Sequence, residues 1–83
     1  MSQITLRYFA AAAAAAGTEE ESWPRPETLA QLRTSLADAY GPDMAAVLRA
    51  GSFLINGVVR KDDGALGSDD SLTVDVLPPF AGG

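Results

Sequence analysis

The sequence predicts an α+β roll, a sheet packed on one main helix with short extra helices. Three patterns point to it. Apolar residues alternate at Ile4-Leu6-Tyr8 and again at Leu72-Val74-Val76, the period of half-buried strands. Leu29, Leu32, Leu36 and Tyr40 recur at helical spacing and form one apolar face. Asn56-Gly57 separates two short β-branched or aromatic runs, a strong hairpin signal. With 83 residues, 47% of them hydrophobic, the chain has room for one domain around one small core.

Taken in order, residues 3–9 form a strand with Ile4, Leu6 and Tyr8 on one side and Thr5, Arg7 and Phe9 on the other. Phe9 is an aromatic on the polar side. Ala10 to Ala16 is a run of seven alanines ending at Gly17, a strong helix former followed by a natural stop. Two turns are too short to be helical alone in water, so packing must hold them. Thr18 to Trp23 reads as a second strand at a sheet edge, its three glutamates solvated gatekeepers. Pro24 and Pro26 break the chain before the main helix, residues 27–40, with acidic Glu27 near its start, where the helix dipole favours it. Gly41-Pro42 ends that helix. Asp43 to Ala50 is a second helical patch closed by Gly51. Residues 52–56 form a strand, Val58-Val59-Arg60 returns, and Leu66 plugs the core after the turn at residues 61–64. Asp69-Asp70 is a further turn whose spacing fits no calcium loop. The last strand, residues 71–77, points Leu72, Val74 and Val76 inward and Thr73, Asp75 and Leu77 outward.

Composition removes most chemistry. The chain has no cysteine and no histidine, hence no thiolate and no imidazole for catalysis or metal ligation. Six scattered Lys and Arg against eleven Asp and Glu make no basic stripe for nucleic acid. A net charge of −5 suits a partner with a basic cleft, and also serves solubility. The apolar alanine stretch after Arg7 is far too short to span a bilayer, and the alternation before it is that of a strand. The expectation is a cytoplasmic protein without a membrane segment.

The C-terminal run Leu77-Pro78-Pro79-Phe80-Ala81-Gly82-Gly83 does not read as an expendable tail. Two prolines end the strand and favour a stiff extended arm of about 20 Å. Phe80 offers an aromatic anchor. Ala81, Gly82 and Gly83 narrow to backbone that fits a tunnel closed to larger residues. The predicted organisation is a domain at 1–77 and an arm at 78–83. A carboxylate at the tip is inert until activated, and nothing else in the chain can activate it.

Arg7-Tyr8-Phe9-Ala10 with its alanine helix and Gly17, Phe53-Leu54-Ile55-Asn56-Gly57, and Asp75 through Gly83 together resemble the small subunit of molybdopterin synthase, a sulfur carrier with the ubiquitin-like β-grasp fold and a mixed sheet. The resemblance covers essentially the whole chain. The nearly pure alanine helix departs from it, since related chains carry charged residues there. The resemblance implies that Gly83 is adenylated by an ATP-dependent activating enzyme and becomes a thiocarboxylate, with Gly82 allowing tunnel entry. Sulfur then passes to a pterin precursor in the large synthase subunit, within a heterotetramer, during molybdenum cofactor synthesis. The chain itself would be the non-catalytic subunit, binding no permanent cofactor. The same resemblance implies a partner surface from Phe9, Leu54, Leu77, Pro79, Phe80 and Ala81. Three other readings stay open: a carrier for cysteine or thiazole synthesis, a ubiquitin-like protein modifier, and a plain interaction module with a passive tail.

Overall fold

The computed structural model describes residues 3–67 and 71–79 of the chain. The Asp69-Asp70 turn and Phe80, Ala81, Gly82 and Gly83 lie outside the described residues. Five strands and three helices follow in the order β1 (Gln3–Tyr8), α1 (Ala11–Ala16), β2 (Glu20–Pro24), α2 (Leu29–Tyr40), α3 (Pro42–Ala50), β3 (Ser52–Ile55), β4 (Val58–Arg60) and β5 (Leu72–Leu77). The strands form one mixed sheet in the order β2-β1-β5-β3-β4. The two central strands, β1 and β5, run parallel, and every other pairing is antiparallel. This is the ubiquitin-like β-grasp arrangement that the sequence resemblance implied.

Each element forms where local chemistry supports it. Helix α2 starts at Thr28, whose side chain accepts a hydrogen bond from the Gln31 N–H at 3.1 Å. Gln31 Oε1 in turn accepts from the Glu27 N–H at 2.9 Å. Two otherwise orphaned donors are thereby satisfied in the manner of a capping box. Glu27 lies before the cap, and the first turn of α2 holds no acidic residue. The expected dipole role of Glu27 therefore gives way to reciprocal capping by Thr28 and Gln31. Pro42 does more than stop α2, for it opens α3 from its first turn, where a missing N–H costs nothing. Asn56 and Gly57 have φ of 47° and 88°, the left-handed pair that a two-residue hairpin requires. In α1, Ala12 is fully buried and the Gly17 N–H closes the helix on the Ala13 carbonyl at 2.9 Å.

One face of the sheet makes the core. Ile4, Leu6, Tyr8, Phe53, Ile55, Val74 and Val76 pack on Leu29, Leu32 and Leu36 of α2 and on Met44, Val47 and Leu48 of α3, with Leu66 closing one side. The residue 61–67 segment is tied over the start of α2. The Arg33 guanidinium donates to the carbonyls of Asp62 and Lys61 at 2.7 and 3.1 Å while lying 4.9 Å from the Phe53 ring centre. The Leu29 N–H donates to the Gly64 carbonyl at 2.8 Å. Arg60 and the Gly64 N–H hold the Asp62 carboxyl well below the usual carboxylate range.

At the other edge, the hydroxyls of Tyr8 and Tyr40 both donate to Oε2 of Glu21, joining β1, α2 and β2 in one polar knot. Trp23 stacks at a tilt near Tyr40. Burial pushes the Glu21 carboxyl up, but the hydrogen bonds from Tyr40, Tyr8 and Trp23 together outweigh it and hold it below its ordinary value. A depressed folded-state pKa stabilises above the unfolded value of 4.5 and loses that contribution as pH falls through the folded value. Urea unfolding below pH 4.5 is thus expected to lose stability more steeply in the wild-type chain than in a Tyr8→Phe/Tyr40→Phe variant. Equal pH slopes for the two would remove the knot from this account.

Candidate functional site

The parallel pairing of β1 and β5 puts the C-terminal ends of both strands at one end of the sheet. Tyr8 pairs with Val76, and the Phe9 N–H donates to the Val76 carbonyl at 3.3 Å, so Phe9 sits at the level of Leu77. Pro78, half-buried, and Pro79, exposed, follow Leu77 outside the strand. On the face opposite the core, Leu54 pairs with Asp75 and Ser52 with Leu77. The structure therefore brings Phe9, Leu54 and Leu77 to one open face at the root of the arm. Phe9 is 40% exposed, while Leu54 and Leu77 are half-buried.

Two features of this face escaped the sequence reading. Val59 pairs with Leu54 and is 60% exposed, which widens the apolar surface by one strand. Its alternation was legible, but three residues of β4 carry too little pattern to assign a face. The second feature is polar. Arg7 and Asp75 are register partners on the two central strands and form a bidentate pair, Nε to Oδ1 at 2.7 Å and Nη2 to Oδ2 at 2.9 Å. Both residues had been read as outward-facing; only the adjacency of their strands makes them a pair. The Asp75 side chain is 7% exposed and that of Arg7 46%. Arg7 also lies 5.8 Å from the Phe9 ring centre, which holds the ring beside the pair. The hydrogen bond and charge of Asp75 raise the Arg7 pKa further above its already high ordinary value. The pair is therefore a structural clamp held by two hydrogen bonds.

The root of the arm is set by a contact with Gly51. A Cβ at that position would lie 2.0 Å from the Leu77 carbonyl oxygen and 2.9 Å from that of Val47. Gly51 has an ordinary negative φ of −94°, so no left-handed turn demands a glycine there. What demands it is the closeness of the last strand where it becomes the arm. From local pattern Gly51 reads only as the close of a helix, because a long-range contact leaves no local signature.

Beside Phe9, a shallow hollow lined by Tyr8, Ala13, Glu19 and Glu20 adds an acidic margin to the same end of the sheet. A larger cleft, about 720 Å³, lies elsewhere, between β2 and α2, with Trp23, Pro24 and Leu32 in its wall. It contains none of the expected site residues. No group of metal-ligating side chains occurs among the described residues. Among the described residues no helix is long and apolar enough to cross a membrane.

An open apolar face beside the end of the last strand is a geometry suited to docking. The ThiS family profile matches residues 6–83. The chain belongs to the ThiS family. It is thus a ubiquitin-like chain of the sulfur-carrier type, a family whose members carry sulfur on the C-terminus. Among solved structures it is similar to small archaeal modifier protein 1 from Methanosarcina acetivorans, with 26% identity over 100% of this chain and 98% of that one and a TM-score of 0.78. It is also similar to the HVO 2177 protein of Haloferax volcanii, with 27% identity, 99% and 87% coverage and a TM-score of 0.76. A putative molybdopterin converting factor subunit 1 from Pyrococcus furiosus shares the fold at 21% identity, with 96% and 100% coverage and a TM-score of 0.70. No curated protein matches the chain.

Two outcomes follow from the geometry. Gly51→Ala forces the Leu77 backbone away and costs about 1–3 kcal/mol, the range for overpacking; amide shifts should concentrate at Leu77 and Pro78 neighbours, and an unchanged spectrum there would refute the contact. Arg7→Met strands the Asp75 carboxylate and lowers stability. Adding Asp75→Leu should restore most of that loss in chemical denaturation, whereas additive losses would mean the pair is not coupled.

Proposed function

We propose that this chain is the sulfur carrier for molybdenum cofactor synthesis, acting as the small, non-catalytic subunit of molybdopterin synthase. In this reading Gly83 is adenylated by an ATP-dependent activating enzyme and converted to a thiocarboxylate. The arm, residues 78–83, then enters the large subunit, where the sulfur passes to a pterin precursor. The observation that carries the reading is that the ThiS family match runs through Gly83 itself, the last position of a Pro-Pro-Phe-Ala-Gly-Gly arm continuing a central strand.

The division of labour follows from the chain's chemistry. It has no cysteine, histidine or nucleotide-binding loop, so loading and discharge belong to partners. Phe9, Leu54, Leu77 and Pro79 give the large subunit an apolar grip at the root of the arm, with Phe80 and Ala81 as contacts further along it. Gly82 and Gly83 let backbone alone reach the reacting centre. The acidic margin at Glu19 and Glu20 suits a basic cleft and favours fast docking. No cofactor stays bound, since ATP is consumed by the activating enzyme and sulfur is cargo. The cytoplasm, where such ATP-dependent activation takes place, is the expected compartment.

A second reading is favoured by one observation. The Methanosarcina relative, 26% identical over the full length, bears the name of a modifier protein. A ubiquitin-like modifier would share the same adenylation of Gly83 but end in an isopeptide bond to a lysine of another protein.

Incubation with ATP, a sulfur donor and the adenylating enzyme should raise the intact mass by one oxygen-to-sulfur exchange, localised to Gly83. Deleting Gly83, or appending one residue, should abolish that gain and cofactor formation while leaving the unfolding curve unchanged. A ladder of lysine conjugates with no sulfur gain would support the modifier instead, and normal cofactor synthesis by the deletion variant would defeat the carrier reading.

A further inference from the structure

The sheet has β2 at one edge and β4 at the other. β2 has five residues and β4 three, so β2 is the longer free edge. Its outward groups follow from its pairing with β1. The Tyr8 N–H donates to the Glu19 carbonyl at 2.9 Å, and two residues further at each step Leu6 pairs with Glu21 and Ile4 with Trp23. Hydrogen-bonded and non-bonded pairs alternate along an antiparallel ladder, so Glu21 and Trp23 turn their backbone groups to β1. Glu20, Ser22 and Pro24 turn theirs to the open edge. Pro24 brings a carbonyl there but no N–H. The Glu20 carbonyl already accepts from the Thr18 hydroxyl at 3.2 Å.

The same edge is apolar on the side of α2. Trp23, half-buried, walls the cleft of about 720 Å³, and the small residues Ala30, Thr34 and Ser35 line it from α2. The two ends of the edge differ in charge. Glu19 and Glu20 stand at its start, and Arg25 follows directly on Pro24 at its close.

We propose that β2 is a self-pairing edge whose occupant is a second copy of this chain, joined antiparallel across a two-fold axis at Ser22. In this register the Ser22 residues of the two copies exchange N–H···O bonds, and each Glu20 N–H donates to the Pro24 carbonyl of the other copy. The bond that Pro24 cannot donate is the one that the Glu20 carbonyl does not need, because Thr18 supplies it. Sliding the copies by two residues spoils the fit. With Ser22 opposite Pro24, the Ser22 carbonyl loses its donor; with Ser22 opposite Glu20, its N–H competes with Thr18. Charge agrees with the antiparallel sense, which sets the acidic start of each strand against the end that carries Arg25. A parallel copy in register would set Glu20 and Glu21 beside their own kind, which is unfavourable. Across the axis each Trp23 lies diagonal to its counterpart, within reach of an aromatic side chain, so the two indoles meet over the clefts. The interface is isologous and closes on itself, which limits assembly to a dimer. The two sheets run on as one, with α2 of both copies on one side. Phe9, Leu54 and Leu77 stay uncovered on the other, so the pairing is compatible with docking there and does not depend on the carrier reading.

The chain has no cysteine, so Ser22→Cys installs a single thiol at the axis. Residues of a hydrogen-bonded antiparallel pair have Cα atoms about 5.5 Å apart, within the span of a disulfide. In a glutathione buffer the Ser22→Cys chain should form a disulfide-linked dimer at least about tenfold faster than a Val59→Cys control, whose thiol sits on the open face, because paired thiols meet at an effective concentration above the bulk one. The unmodified chain should sediment at millimolar concentration with twice the mass of one chain. Ser22→Pro, which removes an N–H that β1 does not use, should return it to the monomer mass with its circular dichroism unchanged. Monomer mass for the unmodified chain, as expected if only a strand of another protein fits this edge, would overturn the proposal. So would cross-linking at position 22 no faster than at position 59, or a dimer that survives Ser22→Pro.

Discussion

The parallel pairing of β1 and β5 is the constraint on which the rest of the molecule depends. Parallel neighbours cannot be joined by a tight turn, so the remaining elements must form the long connection between them. That connection supplies α2 and α3, which cover one face of the sheet, and β2, β3 and β4, which flank the central pair. Because both central strands point the same way, the chain emerges from β5 beside the end of β1. Phe9 and the arm therefore share one end of the sheet, with the start of β1 at the other.

The open face gains its definition from polar as well as apolar residues. A face of Phe9, Leu54, Val59 and Leu77 alone would be greasy and free to pair in several ways. The Arg7–Asp75 clamp adds a charge pair at its centre, fixed in geometry by two hydrogen bonds and a nearly buried carboxylate. Such a pair contributes little net stability, but a wrong partner that buried it without compensation would face a desolvation penalty. On the core side, the close approach of Gly51 to Leu77 sets where the arm begins.

Much of this was legible in the sequence because the informative residues obey short-range rules. Alternation located β1 and β5 with the correct faces, the leucine spacing located α2, and Asn56-Gly57 located the hairpin. Six of the seven alanines, Ala11–Ala16, form the helix that their propensity and Gly17 implied, while Ala10 stands before it with a φ of 52°. What the sequence hid was long-range. Nothing local tells that Arg7 and Asp75, sixty-eight positions apart, stand side by side. Nothing local tells that Gly51 is small because of Leu77, or that Glu21 is bound by two tyrosines from different elements. The start of α2 was misplaced by one mechanism, an acidic residue read for the dipole where Thr28 and Gln31 cap the helix. The family resemblance, carried by the tail and the strand sequences, agrees with the ThiS family match, while the pathway served is a matter of chemistry on the partner.

The chain's composition makes its central claim directly measurable. With no cysteine, it has no thiol of its own to bind mercury. Chain isolated from its own cells and run on an organomercury-containing gel should be retarded, and the retardation should vanish when Gly83 is deleted. If the native chain, taken from cells actively making the cofactor, migrates without any mercury-dependent shift, then it carries no sulfur and the account of its function is wrong.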